Sequence, residues 1–277
     1  MALAERDIER LARVILAAAD GATSMAPITD GAADFGLSDA YRVAAAVTRL
    51  RIARGERPVG WKIGFTNRTI WDEYGVHAPI WGPMYDTTFI YVDPATGAAE
   101  CRLDGLVEPR IEPEIAFRIA APPHPDMDDA ELMSCVDAVA HGVEIVQSIF
   151  PGWRFEAADT VAAFALHGCY RCGPLVAMAP GDRARWLAML AEFEVALFRD
   201  GSKVDRGVAR NVLGGGPLEA LRHLVRGLAE HPPGARLRFG DMVTTGTVTR
   251  AFPVAAGERW RTELTGLPLA GLELALA

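Results

Sequence analysis

"LVEPRIEPEIAF", Leu106 to Phe117, carries three carboxylates in what reads as a β-strand. Successive strand side chains point to opposite faces, so Glu108, Glu112 and Glu114 share one face. The other face shows Ile111, Ile115 and Phe117, with Pro109 and Pro113 between them. A strand that buries one side and lines the other with like charges needs either water or a positive partner on the charged side.

Downstream, "DAVAHGVEIVQSI" reads as a second apolar strand interrupted by Glu144, whose neighbours Val143, Ile145 and Val146 argue for burial. A buried carboxylate requires a cation, a hydrogen-bonding partner or a proton. Glu112 and Glu114 lie two apart on one strand, and Glu144 lies on another. Together they offer the oxygen ligands that a hard divalent cation takes. The pattern alone leaves a solvated ExE face open beside a metal site.

Upstream, "VGWKIGFT" (Val59 to Thr66) alternates, with Trp61, Ile63 and Phe65 on one face and Lys62 on the other. Such a lysine either protects a sheet edge or, held near a metal and apolar walls, works as an acid or base. In "GDMVTTGTVTRAF" (Gly240 to Phe252), Gly246, Thr247 and Thr249 leave little bulk. Backbone and hydroxyl donors there could hold a carboxylate, or the stretch is an ordinary strand exit. "VLGGGPLEAL" places glycines before a helix start, but without the GxxxxGK[ST] or GxGxxG spacing of nucleotide sites.

The remaining pattern predicts helices at residues 5–19, within "LSDAYRVAAAVTRLRIARG" (capped by Ser38 or Asp39 and stopped at Gly55), and in "RTIWDEYG" and "DMDDAELMSCV". Two more are expected, in "DTVAAFALHG" capped by Asp159, and in "GPLEALRHLVRGLAEH". A turn-rich aromatic stretch, "PIWGPMYDTTFIYVD", should end in a strand. "FEVALFRDGSKVDRG" reads as a hairpin turning at Asp200-Gly201. "DMVTTG", "RWRTELTG" and "LELALA" are short strands. The expected architecture is α+β: one domain over 1–277, with an N-terminal helical region (1–57) and a β-rich core (58–277) whose sheet is curled or barrel-like.

The chain has 277 residues and a net charge of −8, with no basic cluster. Nucleic acid and anionic membrane surfaces are therefore not expected partners. The start turns charged at Glu5, unlike a signal peptide, and no apolar run is long enough to cross a bilayer, so the cytoplasm is the expected location. Four cysteines do not suggest a disulfide scaffold. Cys169 and Cys172 form a CxxC, but no second pair completes a zinc site, and incidental buried cysteines are the favoured reading.

Taken in order, "SDAYRVAAAV", "GWKIGFT", "EPRIEPEIAF", "GVEIVQS", "ADTVA", "RDGSKVDRG" and "GDMVTTGTVTRAFPVAAGE" resemble the 2-keto-4-pentenoate hydratase group of the fumarylacetoacetate hydrolase superfamily across nearly the whole chain. The resemblance implies a curled mixed β-roll with outer helices, a divalent Mg²⁺ or Mn²⁺ and a homo-oligomer. It implies metal carboxylates at Glu112, Glu114 and Glu144, with Lys62 and Asp159 as catalytic residues. The activity implied is hydration of a small 2-hydroxy-2,4-dienoic (2-oxo-enoic) acid to a 4-hydroxy-2-oxo acid. The alternative on the same metal site is decarboxylation of a 2-oxo-dioate or carbon–carbon hydrolysis of a 1,3-diketo acid.

The chain departs from the family pattern at Ala163 and Phe164, where an acid and an amide are usual. It departs again at Ile80, where a turn aspartate is usual, and at Gly215, ahead of Pro217. These changes imply a more apolar pocket, with Ile80, Phe164 and Thr247 as substrate-contacting positions and a bulkier or more apolar substrate. His77, His167 and Asp86 stand as minor candidates for a replacement acid or base.

Overall fold

The computed structural model describes residues 3–231 and 235–277. Its strands, in chain order, are β1 (Pro58–Gly64), β2 (Ile80–Tyr85), β3 (Phe89–Tyr91), β4 (Ala98–Cys101), β5 (Arg110–Ile119), β6 (Val136–Val146) and β7 (His167–Cys172). After them come β8 (Val176–Ala177), β9 (Glu194–Arg199), β10 (Ser202–Val208), β11 (Met242–Thr244), β12 (Phe252–Pro253), β13 (Arg259–Thr265) and β14 (Glu273–Leu276).

A nine-stranded sheet runs β2-β1-β11-β5-β6-β7-β3, with β12 on β5 and β8 on β6. A five-stranded sheet runs β10-β9-β13-β14-β4. Both are mixed: β1–β11, β3–β7 and β14–β4 are parallel, and the other pairs are antiparallel. The large sheet is curled. Lys62 on β1 is three strands from Glu144 on β6, about 14 Å across a flat sheet that would hold their side chains parallel. Instead the Lys62 Nζ meets a Glu144 carboxylate oxygen at 3.3 Å.

The curl gives β5 two dry faces. On the outer one, Ile111 packs with Val143 and Ile145 against Leu197, Trp260 and Leu274 of the small sheet. Farther along, Ile115 and Phe117 join a core shared with the N-terminal helices through Ile8, Ile15 and Val43. Inside the roll, Met84, Phe89, Ala116, Ala140, Tyr170 and Met242 fill the space beyond the carboxylates.

The hairpin turns where expected, with Asp200 at φ 49° and Gly201 at φ 80°, the left-handed pair that a two-residue turn needs. Helices Glu5–Asp20, Asp129–Ser134 and Pro217–Glu230 also fall where expected, the second with a full capping box between Asp128 and Glu131. Helix Leu37–Ala53 starts after Gly36 without a side-chain cap, so neither Ser38 nor Asp39 caps it.

Three further expectations are corrected. Helix Ala157–Ala162 stops early, and β7 begins at His167, where helix was expected. The stretch before Phe89 contains β2, a fully buried strand whose aromatic and glycine content reads as turn. Glu108 precedes β5 rather than lying on it; at φ 44°, its exposed carboxylate accepts from the Gly152 N–H at 3.0 Å. Among the described residues, no helix is long and apolar enough to cross a membrane.

Candidate metal centre and active site

β5 and β6 pair so that Glu112 lies directly opposite Glu144, with Glu114 opposite Gly142 one pleat further in. Carboxylate oxygens of Glu112, Glu114 and Glu144 all lie within 4.8 Å of one another, and all three residues are buried. Water does not wash this face, since Glu114 and Glu144 are 0% exposed. The positive partner is Lys62, 2% exposed, whose ammonium faces Glu144 and donates to the Ala165 carbonyl at 3.0 Å.

One lysine cannot balance three carboxylates in a dry site. Burial pushes Glu112 up to about 7 despite Lys62. Burial and the neighbouring carboxylates Glu144 and Glu112 push Glu114 well above the usual range. Burial would also raise Glu144, but Lys62 and His167 outweigh it and hold that carboxyl below its ordinary value. Lys62 is the mirror case: burial lowers it, and the three carboxylates more than restore it. Two buried acceptors receive no hydrogen bond, Glu114 Oε1 and Glu144 Oε2, the second lying against the Lys62 ammonium as an ion pair. A hard divalent cation fits this set, because it takes oxygen ligands and would satisfy both orphaned atoms.

The local backbone is shaped to build the site. Phe164, Ala165 and Leu166 have φ of 49°, 54° and 62°, three consecutive left-handed residues without a glycine. Such a run is strained and persists only where the surroundings impose it. Here it aims the Ala165 carbonyl at Lys62. On the other side Gly246, at φ 83°, gives its N–H to Glu114 at 3.0 Å. A Cβ there would sit 1.9 Å from the Thr66 hydroxyl oxygen, so only glycine makes that approach.

His167, a minor candidate in the sequence, belongs to the site. Its Nδ1 lies 2.7 Å from the second Glu144 oxygen and its Nε2 lies 2.8 Å from the Thr88 hydroxyl, both contacts buried at the histidine. It thereby fixes the carboxylate that Lys62 faces, a supporting role common around metal ligands. The one signal for it was position, at the end of an apolar stretch after Asp159.

Asp159 is buried but turned elsewhere. It accepts from the Ile28 N–H at 2.7 Å, the Thr29 hydroxyl at 2.6 Å and the Glu156 N–H at 2.9 Å, tying residues 28–29 to helix Ala157–Ala162. Thr247 adjoins Gly246, but its hydroxyl donates to the Thr249 carbonyl at 3.1 Å. Ile80 pairs with Gly64 across β1–β2, and Phe164 is buried, its carbonyl backing Gly82. His77 is exposed against Trp71, and Asp86 is paired with Arg57 at 2.8 Å, both outside the site. Cys169 approaches Cys101 at 3.2 Å between their sulfurs, and Cys172 sits inside the roll, so the CxxC is not a unit. Gly215 lies at the start of helix Pro217–Glu230, its nearest outside neighbour Glu219.

Beside Lys62 and Glu112 is a chamber of about 20 Å³, room for about one water molecule. Its other walls are largely apolar, among them Phe65, Ile70, Val146 and Leu166.

No family model matches the chain. It is 30% identical to the 2-hydroxyhexa-2,4-dienoate hydratase of Comamonas testosteroni over 94% of each chain. It is 29% identical to the 2-keto-4-pentenoate hydratase of Paraburkholderia xenovorans, over 94% of this chain and 91% of that one. Among solved structures, the 4-oxalocrotonate decarboxylase from Pseudomonas putida G7, complexed with magnesium and adipate, superposes with a TM-score of 0.88 over 99% of each chain at 26% identity.

Proposed function

The chain belongs to the 2-keto-4-pentenoate hydratase group of the fumarylacetoacetate hydrolase superfamily, and from that premise we infer that it is a divalent-metal-dependent lyase. It adds water to a 2-hydroxy-2,4-dienoate and gives a 4-hydroxy-2-oxo acid. The observation that carries the inference is the cluster of buried carboxylates with unfilled acceptors, set beside a buried lysine at the polar end of an apolar chamber.

Glu112, Glu114 and Glu144 would hold Mg²⁺ or Mn²⁺. When bound, the cation supplies a Lewis acid that stabilises negative charge developing on the C2 oxygen. The net change is balanced: C5 and C3 each gain a hydrogen, C4 gains a hydroxyl, and the C2 hydroxyl becomes a carbonyl. Lys62 lines the chamber beside Glu112 and is the group in reach to carry those protons. Lys62 is oriented by Ala165, Glu144 by His167 and Glu114 by Gly246, so the polar end is fixed before substrate arrives. Asp159 acts as a positioning residue that anchors the segment leading into Ala163–Leu166. Ile80 and Phe164 back the wall, and Thr247 shapes the turn that presents Gly246. We take the enzyme to be a cytoplasmic homo-oligomer without nucleic-acid or membrane partners, in keeping with its acidic charge.

Protein stripped of metal and then given Mg²⁺ should consume 2-hydroxypenta-2,4-dienoate, read as loss of the dienol absorbance with product heavier by one water. Glu114→Gln and Lys62→Ala should abolish that loss. Carbon dioxide release from a 2-oxo-dioate, faster than any hydration, would instead favour the decarboxylase alternative, to which the likeness with the Pseudomonas putida G7 structure also points.

A further inference from the structure

We propose that Cys101 and Cys169 form a reversible disulfide when the protein meets a peroxide, and that the bond fastens the small sheet to the strand carrying His167. This modification is independent of the reaction proposed above.

Of the four free cysteines, these two are brought together from 68 positions apart, with 3.2 Å between their sulfurs. They come from different sheets. Cys101 ends β4, the edge strand of the five-stranded sheet, and Cys169 lies on β7 of the nine-stranded sheet. Strict alternation along β7 would put Cys169 on the same face as His167, towards Glu144. A bulge prevents this. Val146 pairs with His167 and Ile145 with Cys169, so Gly168 is one residue extra against β6. His167 thus faces Glu144 inside the roll, while Cys169 turns out to the layer between the sheets, against the cluster of Cys101, Ile145 and Leu274. The other two cysteines are set apart. Cys172 sits inside the roll, and Cys135 lies against the Met127 sulfur at 3.7 Å.

The surroundings favour a thiolate. Arg171 gives its Nε–H to the carbonyl of Glu100, next to Cys101, at 3.2 Å, which holds a cation beside the pair. The hydrogen bond from the Cys169 thiol, with Arg171 behind it, pulls Cys101 down to about 7 against its burial. Cys169 is half-buried, so a molecule little larger than water reaches the pair from its side. The Cys101 thiolate attacks a peroxide oxygen. An S–O bond forms, the O–O bond breaks, and hydroxide leaves and takes up the proton that Cys101 gave to solvent. The Cys169 sulfur then attacks the Cys101 sulfur. The S–S bond forms, the S–O bond breaks, and the oxygen departs as water with the Cys169 proton. Two thiols are oxidised, and one hydrogen peroxide is reduced to two waters. From 3.2 Å the sulfurs close by roughly 1 Å to bond. The loop so closed contains Glu112, Glu114, Glu144 and His167.

The test is peptide mapping of the folded, full-length protein after hydrogen peroxide and alkylation of the remaining thiols. The Cys101 and Cys169 peptides should be joined and the mass lower by two hydrogens. Cys135 and Cys172 should still alkylate on denaturation, and dithiothreitol should restore all four thiols. Cys169→Ser should leave Cys101 carrying an added oxygen, trapped by dimedone, in place of the cross-link. Closing a loop over 68 positions should raise the thermal unfolding midpoint of the oxidised protein by on the order of 10 °C over the reduced. Wild-type mapping decides the matter if the variant does not fold. Cys101 and Cys169 both free after peroxide has oxidised methionines, or a bond from Cys169 to Cys172, overturns the proposal. So does a Cys101–Cys169 bond that forms only in denaturant, or a cross-linked protein that melts no higher than the reduced one.

Discussion

Replacing Glu114 by glutamine separates two effects that usually travel together. In the metal-free protein, the oxygens of Glu112, Glu114 and Glu144 lie within 4.8 Å of one another. Two unit charges at that distance repel by about 3.5 kcal/mol at an effective dielectric of 20. Glu114 escapes part of this by keeping its proton, since burial and its neighbours raise it well above the usual range. Glutamine is neutral at every pH and keeps an oxygen for the Gly246 N–H. The variant's metal-free form should therefore match or exceed wild type in stability, with the gain growing as pH rises and one such repulsion, about 3.5 kcal/mol, setting its scale. The same change removes a charged ligand, so Mg²⁺ should stabilise wild type and not the variant. Thermal unfolding in chelator and then in millimolar Mg²⁺ reads both arms, at roughly 2–4 °C per kcal/mol for a domain of this order of size. A variant several degrees less stable than wild type in chelator would refute the idea of a charge-frustrated metal site. So would a Mg²⁺ shift as large as wild type's.

Lys62→Met should lower kcat by about 10²-fold or more through loss of a proton carrier, while tightening Mg²⁺ binding because a cation has left the cluster; steady-state kinetics and metal titration distinguish these. His167→Phe leaves one Glu144 oxygen without its partner and should weaken Mg²⁺ binding about 10- to 100-fold, measured by titration. Glu112 must lose its proton to bind a cation. With its pKa at about 7 in the metal-free chain, Mg²⁺ affinity should rise with pH through about 7 and go on rising as Glu114, held well above the usual range, loses its proton too, with protons released on binding and detected calorimetrically in buffers of different ionisation heat. The same shift has a definite sign for stability: a folded value above the unfolded 4.5 favours the metal-free fold below about pH 4.5, and the advantage is lost as pH rises through about 7. Gly246→Ala meets the Thr66 side chain and a left-handed backbone, and should cost both folding stability and Mg²⁺ response in the same unfolding assay.

The elements legible in the sequence are those whose information is local. Period-2 alternation disclosed β5, a continuous apolar run disclosed β6, Asp-Gly fixed the β9–β10 turn, and a helical stripe with proline near its start located Pro217–Glu230. β2 was hidden because both of its faces are buried, which removes alternation and leaves aromatics and glycines that look like turn. β7 was hidden for a different reason. Residues 163–166 are apolar and helix-compatible by type, and it is the left-handed run at Phe164, Ala165 and Leu166 that ends the helix. That run carries no glycine or proline to announce it, because tertiary contact, not local preference, sets it.

The site divides the same way. Which residues are charged, and on which face, could be read from parity, and this marked Glu112, Glu114, Glu144 and Lys62. How those charges are held could not, because the holders are contributed across long separations and largely by backbone. Ala165 and Gly246 act through a carbonyl and an N–H that every residue type possesses, and His167 reaches Glu144 only once β7 has paired with β6. Asp159 shows the converse hazard. A carboxylate in a motif beside the active segment is naturally taken for an acid or base, yet its oxygens accept from residues 28–29 and 156. A buried carboxylate surrounded by donors is a fixed anchor, whereas one with an unfilled acceptor is available to a ligand. By that criterion Asp159 is an anchor, while Glu114 keeps an oxygen open to a ligand and Glu144 sets against the Lys62 ammonium the oxygen that no hydrogen bond reaches.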